Sequence, residues 1–140
     1  MIIMIVDAKG LVAGRLASKI AKKLINGESI IIINGDAAVV VGNESAIMPK
    51  FRQRVDAAVK SNPHYGPKYD RIPSKILRRM VKGMLPNKKR TAERLIDNLK
   101  VYNDNPKNLE KAETIEDVKC NEKHDFMTLK EVAKQLGGTW

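Results

Sequence analysis

The stretch that decides the fold is MIIMIVDAKGLVAGRLASKIAKKLINGESIIII, residues 1–33. It opens with an apolar run rich in β-branched residues, Met1–Val6, which is typical of a strand buried on both faces of a parallel sheet. Apolar residues then recur at helical spacing from Arg15 to Asn26, with lysines mostly on the opposite face. A second β-branched run, Ile30–Ile33, follows. Strand, helix and strand in this order predict a βαβ unit with a right-handed crossover.

Two further short runs have the composition of strands. Ala38–Val41 follows the turn-prone Asn34–Gly35–Asp36, and Leu99–Tyr102 (LKVY) follows a helical segment. Residues 104–125 are polar, with 7 acidic and 4 basic residues, and are predicted to form a surface arm or linker. A C-terminal helix is then predicted from the capping box of Thr128 and Glu131.

The charge of the chain is concentrated in its middle third. The 140 residues carry a net charge of +10, from 26 Lys and Arg and 16 Asp and Glu. Residues 50–100 hold 15 basic and 4 acidic groups, whereas residues 1–49 have a net charge of +1 and residues 101–140 of −2. A solvated surface mixes both signs, and self-repulsion of this size destabilises a compact state unless a polyanion offsets it. We therefore divide a single domain, 1–140, into a sheet-rich part, a basic helical RNA-binding part and, from 104, the polar arm with the last helix.

The basic middle third is predicted to be mainly helical. Phe51, Val55 and Val59 form one apolar stripe with basic residues around it. Prolines and a glycine then interrupt the pattern over residues 62–73, which predicts an extended loop, and Pro73 suits the first turn of the next helix. In that helix four cations fall within an arc of about 100° opposite the apolar side.

A further helix is predicted to begin after Asn87 as its cap. Its first turn is then Lys88, Lys89 and Arg90, which is the wrong sign for the positive N-terminal end of a helix. The conflict disappears if phosphates bind there. We therefore expect a polyanion at this helix start.

Several kinds of chemistry lack the residues that they need. Gly10 and Gly14 lie between the first strand and helix, but three residues separate them and Arg15–Leu16 follow, so the phosphate-loop spacing is not met. Cys120 is the single cysteine and the two histidines lack partners at metal-ligand spacing, which argues against a metal site or an intramolecular disulfide. No apolar run approaches the ~20 residues of a membrane span, and the apolar start is too short for a signal peptide. We expect an intracellular protein with no enzymatic activity, cofactor, small-molecule substrate or membrane contact.

The candidate RNA-binding residues combine cations for phosphates with rings that could stack on unpaired bases. For Tyr65 and Tyr69, base stacking and packing against the domain are both open. The candidates are Lys50, Arg52, Arg54, His64, Tyr65, Lys68, Tyr69, Arg71, Lys75, Arg78, Arg79, Lys82, Lys88, Lys89, Arg90 and Arg94.

A series of short motifs spans roughly residues 5 to 106. They are Val6–Asp7–Ala8, Gly10, Gly14–Arg15–Leu16–Ala17–Ser18, Gly42–Asn43, Gly66–Pro67, Arg71–Ile72–Pro73, Val81–Lys82–Gly83–Met84–Leu85–Pro86 and Leu99–Lys100–Val101–Tyr102. In this order they resemble the universal ribosomal large-subunit protein L-thirteen family, in its archaeal and eukaryotic branch. Thr91 departs from that branch, which usually has Gly after the residue matched by Arg90.

The resemblance implies a three-layer α/β/α fold with a small, mainly parallel four-stranded sheet and extra helices. It also implies a non-enzymatic constituent of the large ribosomal subunit, cytoplasmic in the ribosome, bound to large-subunit ribosomal RNA beside neighbouring ribosomal proteins. Two alternatives stay open. A free basic regulator of nucleic acid would not sediment with large subunits, and a small α/β nucleotide-binding enzyme would bind common nucleotides tightly.

Overall fold

The predicted βαβ unit forms at the start of the chain. The computed structural model describes residues 3–121 and 123–140. In it β1 covers Ile3–Asp7, α1 covers Ala13–Ile25 and β2 covers Ser29–Ile33. β1 and β2 pair in parallel. The first two residues of the predicted strand lie outside the described residues.

The later elements alternate less regularly. Short 3-10 turns cover Gly35–Ala37, Pro63–Tyr65 and Glu116–Val118. The longer elements are β3 (Val39–Val41), α2 (Glu44–Asp56), α3 (Pro73–Gly83), α4 (Lys89–Asp97), β4 (Leu99–Val101), β5 (Phe126–Thr128) and α5 (Leu129–Gln135).

The main sheet has three strands, in the order β1-β2-β4, all parallel. The implied four-stranded sheet is therefore wrong, because β3 forms a separate antiparallel pair with β5. Residues 34–38 are too few for the crossover that a parallel neighbour of β2 requires. They make a tight turn instead, with Asn34 in the left-handed region at φ 54°. β5 had no signal in the sequence, because it is a three-residue strand at the end of a polar segment.

The helices that connect these strands gather over one face of the main sheet. Right-handed crossovers that step in the same direction place their helices on the same face, and α3 packs against α1, β4 and α5. Val6, Ile30 and Leu99 point into this shared core and are at most 1% exposed. On the opposite face Ile3 is 57% exposed. Helices on both faces, and a first strand buried on both, therefore differ from what the described residues form.

Two helix starts differ from the prediction. α2 begins at Glu44 and continues through Pro49, and it ends at Asp56, so Val59 lies outside it. α4 has Lys88 rather than Asn87 at its N-cap position. The start of α3 at Pro73 and the capping box of α5 are as predicted.

The polar arm is attached to the core rather than free. The Glu113 N–H donates to the Ile5 carbonyl at 2.9 Å, and the Glu113 carbonyl accepts from the Asp7 N–H at 3.1 Å. Val118 is 2% exposed, and its carbonyl accepts from the Val12 N–H at 2.9 Å. The arm thus runs along the outer edge of β1. None of the helices described is both long and apolar enough to cross a membrane.

Candidate nucleic-acid interface

Fifteen of the sixteen candidate residues are exposed, and Tyr69 is half-buried. Their exposure follows from amphipathic patterning, because each helix buries the stripe opposite its cations. Along the chain, α2 carries Lys50, Arg52 and Arg54; the loop before α3 carries His64, Tyr65, Lys68, Tyr69 and Arg71; α3 carries Lys75, Arg78, Arg79 and Lys82; and the start and body of α4 carry Lys88, Lys89, Arg90 and Arg94.

The cations of α3 form the densest part of this surface. The helix buries Ile76, Leu77 and Val81 in the core, which turns its basic face to solvent. Its four cations line an open cleft of about 730 Å³ together with Asp70 and Gly83. A cleft with four cations and one carboxylate strongly favours an anionic ligand.

Arg79 is held in place by the loop that precedes α3. Its Nη1 donates to the Lys68 carbonyl at 2.9 Å and lies 3.9 Å from the Asp70 carboxylate. Its guanidinium lies 4.7 Å from the centre of the Tyr69 ring. An exposed ion pair of this length stabilises little, but the contacts together orient the guanidinium while its other N–H groups remain available to phosphate.

Tyr69 packs against the domain. Its ring meets Phe51 edge-on, with centroids 6.3 Å apart, and has the Arg54 guanidinium at 5.8 Å in addition to Arg79. It also belongs to the residues packed on the hydrophobic core. Of the two alternatives for this tyrosine, the structure therefore favours packing, and its role is to hold two arginines.

Tyr65 has the opposite environment, because its side chain is 81% exposed. The turn that carries it is ordered by Asn62, whose side-chain oxygen accepts from the His64 N–H at 3.1 Å. Gly66 closes the loop so tightly that a Cβ there would lie 2.7 Å from the Cα of Ala58. The sequence analysis did not single out Asn62 or Gly66 for this role, although Asn–Pro and Gly–Pro pairs are turn signals.

Not all candidates converge on the α3 cleft. Arg52 lines a different cleft of about 630 Å³ with Glu44 and Gln135. Arg71 lies against the C-terminal segment, where a Cβ on Gly137 would be 3.6 Å from its guanidinium. Arg78 connects to α4 through the Ile96 carbonyl at 3.4 Å. At the start of α4 no acidic residue and no side-chain cap is present in the first turn.

The glycine loop before α1 does not offer a phosphate-binding loop. The N–H groups that such a loop presents to phosphate are already engaged: Gly10 donates to Ala37, Leu11 to Ala8, and Val12 to Val118. Within residues 3–121 and 123–140, no group of His, Cys, Asp or Glu side chains is arranged to hold a metal ion.

A compact α/β core with one strongly cationic, exposed surface is the architecture of a nucleic-acid-binding protein. Comparison with known families is more specific. The model of the family described as ribosomal protein L13 matches residues 2–108. The chain therefore belongs to the ribosomal protein L13 family.

Relatives match over nearly the whole chain. One is the large ribosomal subunit protein uL13 of Methanosphaera stadtmanae, which is 44% identical over 95% of this chain and 96% of its own length. The uL13 proteins of Thermoplasma volcanium and Methanocaldococcus jannaschii are 40% and 39% identical, over 96% and 95% of this chain and 98% and 96% of their own lengths. All three are archaeal, in agreement with the branch that the motifs resemble.

Proposed function

We propose that this chain is a structural constituent of the large ribosomal subunit that binds and organises large-subunit ribosomal RNA through its basic surface. One observation carries the proposal. Among the described residues, Arg79 is the single candidate cation that forms an ion pair within the chain, so the positive charge of residues 50–100 is left for an external partner. Family membership and the names of the relatives support the ribosomal setting.

The mechanism is electrostatic positioning. Contacts to phosphate fix the register and orientation of a protein on RNA without reading bases. The α3 cleft supplies two arginines, which can pair bidentately with phosphate, and two lysines, which act as point charges. Because the opposite face of α3 is anchored in the core, the four charges keep a fixed spacing. Such a surface recognises the shape of an RNA fold rather than a sequence.

The loop and the start of α4 extend this surface. Tyr65 presents an exposed ring beside cations that can track the backbone, and stacking on an unpaired base is tolerant of sequence. The N–H groups at the start of α4 attract the same anions as Lys88, Lys89 and Arg90. The proposal also implies a location in cytoplasmic ribosomes, neighbouring large-subunit proteins as partners, and no enzymatic activity.

The test is the salt dependence of RNA binding. Replacing Arg78, Arg79 and Lys82 with Ala should weaken binding to isolated large-subunit ribosomal RNA. The slope of log affinity against log salt should fall by about one for each phosphate that the variant no longer neutralises. Because these side chains are exposed, unfolding should shift little.

A matched control removes three exposed lysines from other elements. Lys19 and Lys22 lie on α1 and Lys130 on α5, and their replacement with Ala changes the net charge equally. The control should keep most of the slope. Equal slopes for both triple variants and the unmodified chain would overturn the proposed surface, and equal reductions in both would reduce it to bulk charge.

A further inference from the structure

The face of the main sheet that carries no helix has its own pattern of side chains. Ile5, Ile31 and Lys100 are register partners across β1, β2 and β4, so they form one row on the same face. Ile3 and Ser29 form the next row toward the amino ends of the strands. This face thus presents three isoleucines and one cation.

The face is open at its amino-terminal half. Ile3 is 57% exposed, Ile5 and Ile31 are partly exposed, and Lys100 is exposed. None of the three isoleucines is among the residues packed into the hydrophobic core. Ile33 lies on the same face at the carboxyl end and is 2% exposed, so the opening is confined to the other end.

An open face is unusual for this kind of sheet. Parallel sheets occur almost always with both faces covered, because their strands are apolar on both sides. Contiguous exposed apolar surface of this kind marks interaction sites. Here the strand order places the connecting helices on the other side, so the cover has to come from outside the part of the chain that the structure describes.

The charges around the face favour a protein rather than RNA. Lys100 is its single cation among the described rows, in contrast to the four on α3. The arm beside β1 is acidic-leaning, since residues 101–121 hold 5 acidic and 3 basic groups, and Glu113 lies directly at the β1 edge. A polyanion would meet net negative charge here, whereas an apolar segment flanked by basic residues would meet complementary charge.

We propose that Ile3, Ile5, Ile31 and Lys100 form a docking surface for an apolar, basic-flanked segment of a neighbouring protein of the large subunit. RNA and protein partners then approach from opposite sides of the sheet, so the chain acts as a spacer between them. This inference rests on the proposed place in the subunit, and it is independent of which cations touch RNA.

Site-specific photo-crosslinking tests the surface. A benzophenone amino acid replaces Ile3 in the full chain, and purified large subunits that contain it are irradiated. Ile25 is the matched control, because it is an isoleucine of α1 that is 51% exposed. At Ile3 we expect an adduct with another protein, which protease removes and ribonuclease does not, at a yield several-fold above that at Ile25. An adduct with RNA, or no adduct above that control, overturns the proposal.

Charge substitution at Ile3 gives a second readout. Because the side chain is largely exposed, Ile3→Lys and Ile3→Glu should unfold at nearly the same temperature. If the segment is basic-flanked, Ile3→Lys should lower retention in salt-washed large subunits by about threefold to tenfold relative to Ile3→Glu. Equal retention, or better retention of Ile3→Lys, overturns the proposal. The α3 triple variant tests the RNA surface separately, so the two failures are distinguishable.

Discussion

Two tyrosines four residues apart have different jobs because the loop between them turns. Tyr69 is half-buried against Phe51, with the guanidinium groups of Arg54 and Arg79 within 6 Å of its ring. Tyr65 leaves a proline-initiated turn and is 81% exposed. Composition alone cannot separate them, since both stand in a basic, proline-rich loop. The distinction depends on which ring reaches the core, and that is a long-range property.

This contrast predicts opposite outcomes for the two tyrosines. Tyr65→Ala should leave unfolding unchanged and lower affinity for large-subunit ribosomal RNA, because a stacked base contributes about 1–3 kcal/mol. Tyr69→Ala should cost about 1–3 kcal/mol of stability, because the ring no longer packs on the core. Thermal unfolding and filter binding of both variants make the comparison. An unchanged RNA affinity for Tyr65→Ala would contradict a stacking role.

At the scale of elements, the start of α4 combines two local features that disfavour a helix. Lys88 occupies the N-cap position, where Ser, Thr, Asp or Asn is preferred. Lys89 and Arg90 then place positive charge at the positive end of the helix dipole. Sequences that break local rules in one place often do so for function, and bound phosphate would remove both conflicts.

The substitution Lys88→Asp separates stability from binding at this helix. An aspartate at the N-cap accepts a backbone N–H and complements the dipole, so the free protein should gain about 0.5–2 kcal/mol of stability. The same change should weaken RNA binding, because a cation becomes an anion. Denaturant unfolding and RNA titration measure the two effects. Lys88→Ala is the control, since it removes the charge without adding a cap. A loss of stability together with unchanged RNA affinity would show that the first turn has no phosphate partner.

Helices whose pattern is strong were predictable, and short strands were not. α1, α3 and α5 have clear apolar stripes or a capping box, and these local signals decide where they begin or end. β3 has the composition of a strand of the main sheet, yet the turn before it is too short for a parallel crossover. The start of α2 was missed because Pro49 usually marks a first turn, whereas here the helix continues through it.

At the scale of the whole molecule, the sequence predicts which third carries the charge but not which face is open. Counting Lys and Arg locates the basic surface, because charged side chains stay exposed almost wherever the fold places them. Isoleucines of β1 and β2 look equally buried in sequence. Strand order and crossover direction decide that Val6 is covered while Ile3 is not. Partners that meet an apolar face are therefore invisible until the topology is known.

The charge distribution also predicts opposite effects of salt on the free protein and on its RNA complex. On α3 the four cations form four like-charged pairs at spacings of three or four residues, and each costs about 0.2–0.5 kcal/mol when unscreened. Raising the salt concentration screens this repulsion, so the free protein should gain on the order of 1 kcal/mol of stability from these pairs. The RNA complex should weaken by an order of magnitude or more over the same range, because counterion release becomes less favourable.

Denaturant unfolding at several salt concentrations, with and without large-subunit ribosomal RNA, measures both effects. The variant with Arg78, Arg79 and Lys82 replaced by Ala removes every one of these pairs, so its stability should depend less on salt. The Lys19, Lys22 and Lys130 variant has the same net charge and should keep the salt dependence of the unmodified chain. If both variants responded equally, general charge would explain the effect. The difference expected between them would instead show that repulsion is localised on α3, the same face that RNA relieves by binding.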